Sequence, residues 1–472
     1  MLTYQDYQNY DGAKVDFIKK AINEYKSSEL YKTACDADMY DKQKNLTIMK
    51  LVQKLFSLNG RATENFTASN NRIASNFFNR LNVQRCTYLL GNGISFPSNE
   101  NENIKNKFGE KFDTVMQEAG YNALIHGVSY LFWANDRLYC FKATEIVPLY
   151  DEHSGALMAV VRFWQIAGNK PLSVTFYESD GYTDYEENEE KVLVAKKAKE
   201  SYIVKATFSK AYGIEIVGKE NYNALPIIPL WGSRLKQSTL VGLRAAIDSY
   251  DLIRSGFAND LTDCAQIYWI LENYGGMEDE DLQRFRDRIL LNHIATADTA
   301  EGGRIVPYAQ DIPYQAREQY LQTIRAEIYE GFGGLDVHTI AAGATNDHID
   351  AAYQPLDENA DDFEKQIIEC VQRIGELIGL NNEEATPLFK RNRISNQSEL
   401  TDMVLQAAQY LDDETVLRHL PFITVDEVKN ILSRKAAEEQ KQVIDMRAEL
   451  EELRTKQNED RKSEEIIDGQ SA

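Results

Sequence analysis

The chain has 472 residues, 43% of them hydrophobic, enough for roughly two to four domains around a sizeable core. Its formal charge of −22 opposes a tight grip on phosphate, which needs an excess of Lys and Arg, but not a protein that lets nucleic acid pass without holding it. No apolar run reaches the length of a membrane span: Ala123 to Ala134 is broken by His126 and Gly127, and the start, Met1 to Asp6, lacks the layout of a signal peptide.

In chain order, helical spacing comes first. Val15, Ile18, Ile22 and Tyr25 predict a helix over 12–31, and Ile48, Leu51, Val52 and Leu55 a second over 43–58, stopped by Gly60. A third runs from Asn70 through Ile73, Phe77, Phe78, Leu81 and Cys86 to Leu90, where Gly91-Asn92-Gly93 makes a turn. A fourth, over 103–122, carries Phe108, Phe112, Val115 and Met116. From Gly127 the period falls to two, and strands are expected at 128–133, 138–141, 145–150, 157–166, 172–178, 191–195, 202–208 and 213–217. The acidic patch 184–190 reads as a solvated loop, and Leu225 to Trp231, with Pro226 and Pro229, as an extended connector. The middle third is thus an antiparallel β region.

The next stretch is a helix, a compact insert and a returning helix. In the first helix Leu240, Leu243, Ile247, Tyr250, Phe257, Leu261 and Cys264 form a seam at steps of three and four, interrupted by Arg254. Asp248, Asp251, Ser255, Asn259 and Thr262 form its polar back. The insert reads as a strand at 267–271, a helix at 277–291 and strands at 294–296 and 304–306. The returning helix opens near Asp311 and Pro313, carries Tyr314, Leu321, Ile324, Ile328 and Phe332, and stops at Gly331, Gly333 and Gly334. Residues 335–350 contain no Lys or Arg, and a long helix is expected over 357–380, with Phe363, Ile367, Cys370, Val371, Ile374 and Ile378 inward. Thr424 and Glu427 have capping-box spacing ahead of a charged helical tail, where Val443, Met446, Leu450 and Leu453 give a short seam.

No motif for catalysis stands out. Five cysteines (Cys35, Cys86, Cys140, Cys264, Cys370) are far apart and form no Cys-x-x-Cys pair, so neither a disulfide framework nor a zinc site is indicated and a reducing cytoplasm is the expected environment. His126, His153, His293, His338, His348 and His419 are scattered, and neither a phosphate loop nor a Gly-x-Ser-x-Gly turn is present. Lys390, Arg391 and Arg393 read as a solvated helix end rather than a phosphate site. The expectation is a protein that is not an enzyme and holds no cofactor and no metal.

Several blocks in series resemble the portal proteins of tailed bacteriophages, in particular long-tailed phages of Gram-positive hosts. They are Asn71 to Ala74 and Tyr88 to Asn92, Ala123 to Tyr130, Glu145 to Asp151, Gly155 to Arg162, Leu225 to Pro229, Ile247 to Tyr250, and Ser255 with Ala258 to Asp260. The resemblance covers roughly 70–380 and implies an α+β, mainly helical, portal-like fold with wing, two-helix stem, αβ clip and helical crown. Carried over, 1–234 is the wing, 235–265 and 311–334 the stem helices, 266–310 the clip, 335–352 the tunnel loop and its flank, 353–385 a long wing helix, and 386–472 the crown and charged helical tail.

The resemblance further implies a homo-oligomer, usually a dodecameric ring at one capsid vertex, for DNA packaging and ejection. Its partners would be double-stranded DNA, the terminase large subunit, a head–tail connector, and the major capsid and scaffolding proteins, with no membrane. It would assemble in the host cytoplasm and reside in the virion. Thr339, Thr345, Asn346 and His348 would face DNA from the loop. Leu240, Leu243, Ile247, Tyr250, Phe257, Leu261, Leu321, Ile324 and Ile328 would pack the stem. The alternative is another phage head–tail adaptor or structural protein without a DNA channel.

Overall fold

The computed structural model describes residues 2–50, 55–58, 61–64, 69–97, 104–209, 213–264, 268–272, 304–308, 313–340, 345–393 and 397–420, with isolated positions between 278 and 284 and between 428 and 446. They fall into two compact bodies, Met1–Asp336 with Gln354–Asn392, and Val337–Tyr353 with Arg393–Ala472.

The first body begins with α1 (Tyr4–Gln8), α2 (Lys14–Ser27) and α3 (Glu29–Asp41). The single helix expected over 12–31 is two, because Ser28 is extended and its Oγ accepts from Tyr31 N at 3.3 Å, capping α3. Phe17, Ile18, Ala21, Ile22 and Tyr25 line one side of α2 and pack on a five-stranded antiparallel sheet. Its strands are β6 (Ile146–Tyr150), β7 (Leu157–Trp164), β8 (Ser173–Glu178), β9 (Gly181–Glu187) and β10 (Leu193–Ala195), in spatial order β10-β9-β8-β7-β6. Of the patch expected as a loop at 184–190, residues 184–187 instead supply the end of β9, while 188–190 turn toward β10. Pairing against β8 and β10 disperses its charges: Asp184 accepts from Thr175 Oγ1, and Glu186 lies 3.1 Å from Lys196 Nζ.

Two other expectations change. The helix over 43–58 is only α4 (Leu46–Met49); Leu55–Leu58 (β1) pairs with Arg61–Glu64 (β2) across Asn59-Gly60, a dipeptide that favours hairpins over helix. The helix over 103–122 is split into α6 (Ile104–Lys107) and α7 (Phe112–His126) where Gly109 takes φ +92°.

A second layer joins α5 (Phe77–Leu90) and α7 to a three-stranded sheet ordered β13-β4-β5, from Val128–Ala134 (β4), Arg137–Lys142 (β5) and Ile227–Trp231 (β13). The expected connector 225–231 is therefore an edge strand, the one sheet position where Pro229 loses no ladder bond that matters. Against this layer lies α10 (Asn346–Leu377), with Phe363, Ile367, Val371 and Ile374 at most 1% exposed beside Leu124, Leu131 and Leu230. It begins at Asn346 rather than near 357, passing Pro355, which removes one N–H without ending the helix. The separate hairpin of β11 (Ile203–Ser209) and β12 (Gly213–Glu220) completes the β region.

Of the insert, Tyr268–Glu272 (β14) pairs antiparallel with Arg304–Tyr308 (β15); the expected strand at 294–296 and most of the helix at 277–291 lie outside the described residues. The two helices around it are α8 (Leu240–Cys264) and α9 (Tyr314–Phe332). In the second body Gln397–Ala407 (α11) and Asp413–His419 (α12) follow, the latter capped by Asp412, whose Oδ2 accepts from Thr415 N at 3.1 Å. The seam expected at Val443, Leu450 and Leu453 lies outside the described residues, and Met446 is exposed.

Gly127 sets the entry of α8. It caps α7 at φ +90°, and a Cβ there would lie 2.7 Å from Gln237 C and 2.8 Å from Ser238 N. That approach lets Ser238 Oγ donate to Ile125 O and Thr239 Oγ1 to Leu124 O at 3.0 Å, tying α8 to the last carbonyls of α7. Gly127→Ala is expected to lower the unfolding free energy by about 1–3 kcal/mol, measured by urea denaturation, through both the positive φ and the clash.

Candidate functional site: the α8–α9 helix pair and the segment after it

The two helices run antiparallel. Near the start of α8, Leu240, Leu243 and Ile247 are at most 3% exposed and share a core with Ile324, Ile328, Tyr329 and Phe332 of α9 and with Tyr40, Phe78 and Leu81. At the far end Arg317 forms an ion pair with Asp260, its guanidinium 5.8 Å from the Phe257 ring, and Ser249 Oγ lies 3.5 Å from Tyr320 OH. The base is dry and the far half is not. Tyr250, Phe257 and Leu321 are half-buried, Leu261 and Tyr314 are both 55% exposed and Tyr320 47%. Seam residues of one period therefore meet two environments within a single chain.

The polar back of α8 is consumed inside the chain. Residues 69–76 are non-helical although a helix was expected from Asn70, and α5 begins only at Phe77. Alternate amides of this segment donate to side chains four apart on α8: Asn71 N to Asn259 Oδ1 at 2.6 Å, Ile73 N to Ser255 Oγ at 3.0 Å, and Ser75 N to Asp251 Oδ1 at 2.9 Å. The fit follows from geometry, since two extended residues span about 6.6 Å and four helical residues rise about 6 Å. Asn45 Nδ2 also donates to Asp251, and Asp248 accepts from Tyr40 OH and from Thr47 Oγ1 at 2.7 Å. Burial raises the Asp251 carboxyl above its usual range, against the lowering pull of the Asn45 and Ser75 donors. Sequence reading missed these partners, although the steps of three and four in the polar back were their signal.

α9 ends on Gly333 at φ +65°, with Gly333 N bonded to Glu330 O at 2.9 Å and Gly334 N to Tyr329 O at 2.8 Å. Arg85, also missed, donates through Nη2 to Phe332 O and lies 4.0 Å from that residue's ring centroid; burial lowers its pKa to about 10. Gln84 binds both backbone groups of Leu335, at 2.9 and 3.0 Å. The chain is thus held firmly up to residue 335.

The four loop candidates do not share one loop. Thr339 lies in the 3-10 turn Val337–Thr339, and 341–344 lie outside the described residues. Exposed Thr345 supplies the carbonyl to Ile349 N at 3.0 Å, while Asn346 and His348 already belong to the first turn of α10. The loop expectation for those two is corrected: the helix starts at Asn346 rather than near 357. The reading of Lys390, Arg391 and Arg393 as a solvated end is corrected for Arg391, which is half-buried, while Lys390 and Arg393 are exposed. Arg391 pairs with Asp357 at 2.6 Å, Glu364 at 3.2 Å and Asp361, and Arg393 with Asp350 at 3.0 Å, because α10 presents those carboxylates along its length. Among the described residues no group of three or more His, Cys, Asp or Glu is placed to hold a metal, and no helix is long and apolar enough to cross a membrane.

The family model for phage portal proteins of the SPP1 Gp6-like type matches residues 19–442. The chain belongs to this portal protein family. The portal protein of Clostridium phage phiCD119 is 24% identical over 388 residues, covering 75% of this chain and 82% of its own. That of Bacillus phage SPP1 is 24% identical over 437 residues, covering 86% and 83%. A solved chain from the neck of a native GTA particle, computed with C12 symmetry, covers 66% of this chain and 81% of its own at 10% identity. Its TM-score of 0.36 is too low to carry any argument. The family is structural, and portal proteins are components of the virion.

Ser255→Ala is expected to cost about 1 kcal/mol and Asp251→Ala about 3 kcal/mol of unfolding free energy, because the second strands two donors. The raised Asp251 carboxyl binds its proton more tightly folded than unfolded, so its contribution is full below the ordinary carboxylate pKa and declines as pH rises through the folded one. Denaturation of wild type and Asp251→Ala should therefore show a larger gap at about pH 4 than at about pH 8.

Proposed function

We propose that the protein forms the ring-shaped channel at one capsid vertex through which phage DNA is packaged and later ejected. Family membership supports a portal role. The observation that carries the ring is the uneven burial of the α8–α9 pair. Its polar back is taken up by residues 69–76 and its base by the chain's own core, yet Leu261, Tyr314 and Tyr320 stand open at the far half. Covering such surface recovers about 25 cal/mol per Å² of apolar area, and copies standing side by side cover it on both flanks. A closed ring of such head-to-tail contacts leaves no edge to polymerise.

In this reading 1–234 and 353–385 form the wing, 235–265 and 311–334 the stem, 266–310 the clip, 335–352 the tunnel loop and flank, and 386–472 the crown and tail. Twelve copies make the ring. The clip docks the terminase large subunit and then the head–tail connector, and the major capsid and scaffolding proteins are its assembly partners. The protein works without catalysis, assembling in the host cytoplasm and remaining in the virion. Double-stranded DNA slides past 335–352 because that segment has no Lys or Arg to pair with phosphate, leaving Thr339, Thr345, Asn346 and His348 for weak contacts.

Native mass spectrometry and negative-stain microscopy of the purified full chain test the reading. The expected result is a closed ring with a central hole. A monomer or small dimer under all assembly conditions would contradict it.

A further inference from the structure

The hairpin of β11 and β12 projects from a firmly fixed base. Asn221 Oδ1 accepts from Tyr202 N at 3.1 Å, Asn221 Nδ2 donates to Asp180 O at 2.8 Å, and Tyr202 OH donates to Glu178 O at 2.7 Å. Tyr202 is buried in the core beneath, and Ile203 is half-buried against it. Beyond that point residues 204–207 and 216–220 are exposed, Gly218 excepted.

The register sorts these residues by face. Val204 lies opposite Lys219 and Ala206 opposite Ile216, and because side chains alternate along β11 these four share one face. Phe208 opposite Ile214 is the next pair in that series. Lys205 opposite Gly218 and Thr207 opposite Glu215 belong to the other face, and Val217 is the extra residue of a bulge. One face is therefore apolar apart from Lys219, yet Val204 is 50% exposed, Ile216 61% and Val217 67%. A two-stranded ribbon is marginally stable by itself, and what this one lacks is a surface against its apolar face.

We infer that the apolar face of this hairpin docks on a second copy of the chain. The inference rests on the ring reading above and adds a contact that the α8–α9 pair does not supply. Size selects the occupant. Strands of 7 and 8 residues make a ribbon about 23 Å long and about 10 Å wide, so its face offers on the order of 230 Å². A standard interface takes roughly 800 Å² from each partner, so this face alone would hold a separate protein only weakly. A copy already held through the far half of the helix pair needs no more than such an addition. Charge does not oppose the contact: residues 203–220 hold three Lys and two Glu, in a chain of formal charge −22. DNA is a poor occupant, because among its described side chains the face offers phosphates only Lys219.

The full-length protein is made with Val204→Asp and Ile216→Asp together, with Val204→Thr and Ile216→Thr together, and with Thr207→Asp on the opposite face as control. All three positions are exposed in the subunit, so the melting temperature of the unassembled chain should change little in each. Ring yield should fall by about tenfold or more in the aspartate pair. It should fall less in the threonine pair, which keeps its preference for strand, and should hold in the control. A photo-crosslinker at position 216 should join two copies within the assembled ring. If wild type forms rings and the aspartate pair forms them equally well, or the crosslinker in infected-cell lysate captures DNA or a different protein in place of a copy, this inference falls and the ring reading stands. If wild type never forms rings, both fall.

Discussion

The match between a two-residue repeat in extended chain and a four-residue repeat in a helix organises this subunit. Three amides of residues 71–75 find three side chains of α8, at 259, 255 and 251, and the fit fixes the helix lengthwise and in rotation. With its polar side turned inward and satisfied, α8 can present its apolar seam only in the directions left over. At its base that direction meets Ile324 and Ile328; farther out, among the described residues, Arg317 lies near Phe257 while Leu261 and Tyr314 are exposed.

The surrounding fold serves to hold that helix pair at both ends. Gly127 brings the turn after α7 against Gln237 and Ser238, anchoring the start of α8. Arg85, Gln84 and the two glycines after Phe332 anchor the end of α9. Residues 335–350, which hold no Lys or Arg, run into α10 at Asn346, and α10 goes on to Leu377.

Much of this was legible in the sequence where a single period ran long enough. The seams of α8 and α9, the strand alternation from Val128 onward, and the glycines ending α9 were readable because each rests on spacing within one element. What escaped depended on partners distant in sequence. Residues 70–76 carry a plausible helical pattern, yet their amides are worth more to Asp251, Ser255 and Asn259, nearly two hundred residues away, than to a local ladder. Acidic residues 184–187 read as loop until lysine and threonine from neighbouring strands offset them. The long helix was expected only from 357, but it runs on past Pro355, where one missing donor is a small loss in a helix of 32 residues. The site candidates fared by the same rule: the seam residues lie on the two helices, whereas Asn346 and His348, assigned to a loop, sit in a helix. Arg85 gave no signal, since one buried arginine among the polar positions of α5 has no spacing to betray it.

Hydrogen exchange, compared between the unassembled subunit and the purified assembly, tests the central claim most directly. Amides at 240–250 and 324–332, where the core covers the helix pair, should be protected in both. Amides at 253–262 and 314–323 should exchange quickly in the lone subunit and slow sharply on assembly. Equal protection of the far half in both states would mean that the subunit completes its own helix pair, and would contradict the account.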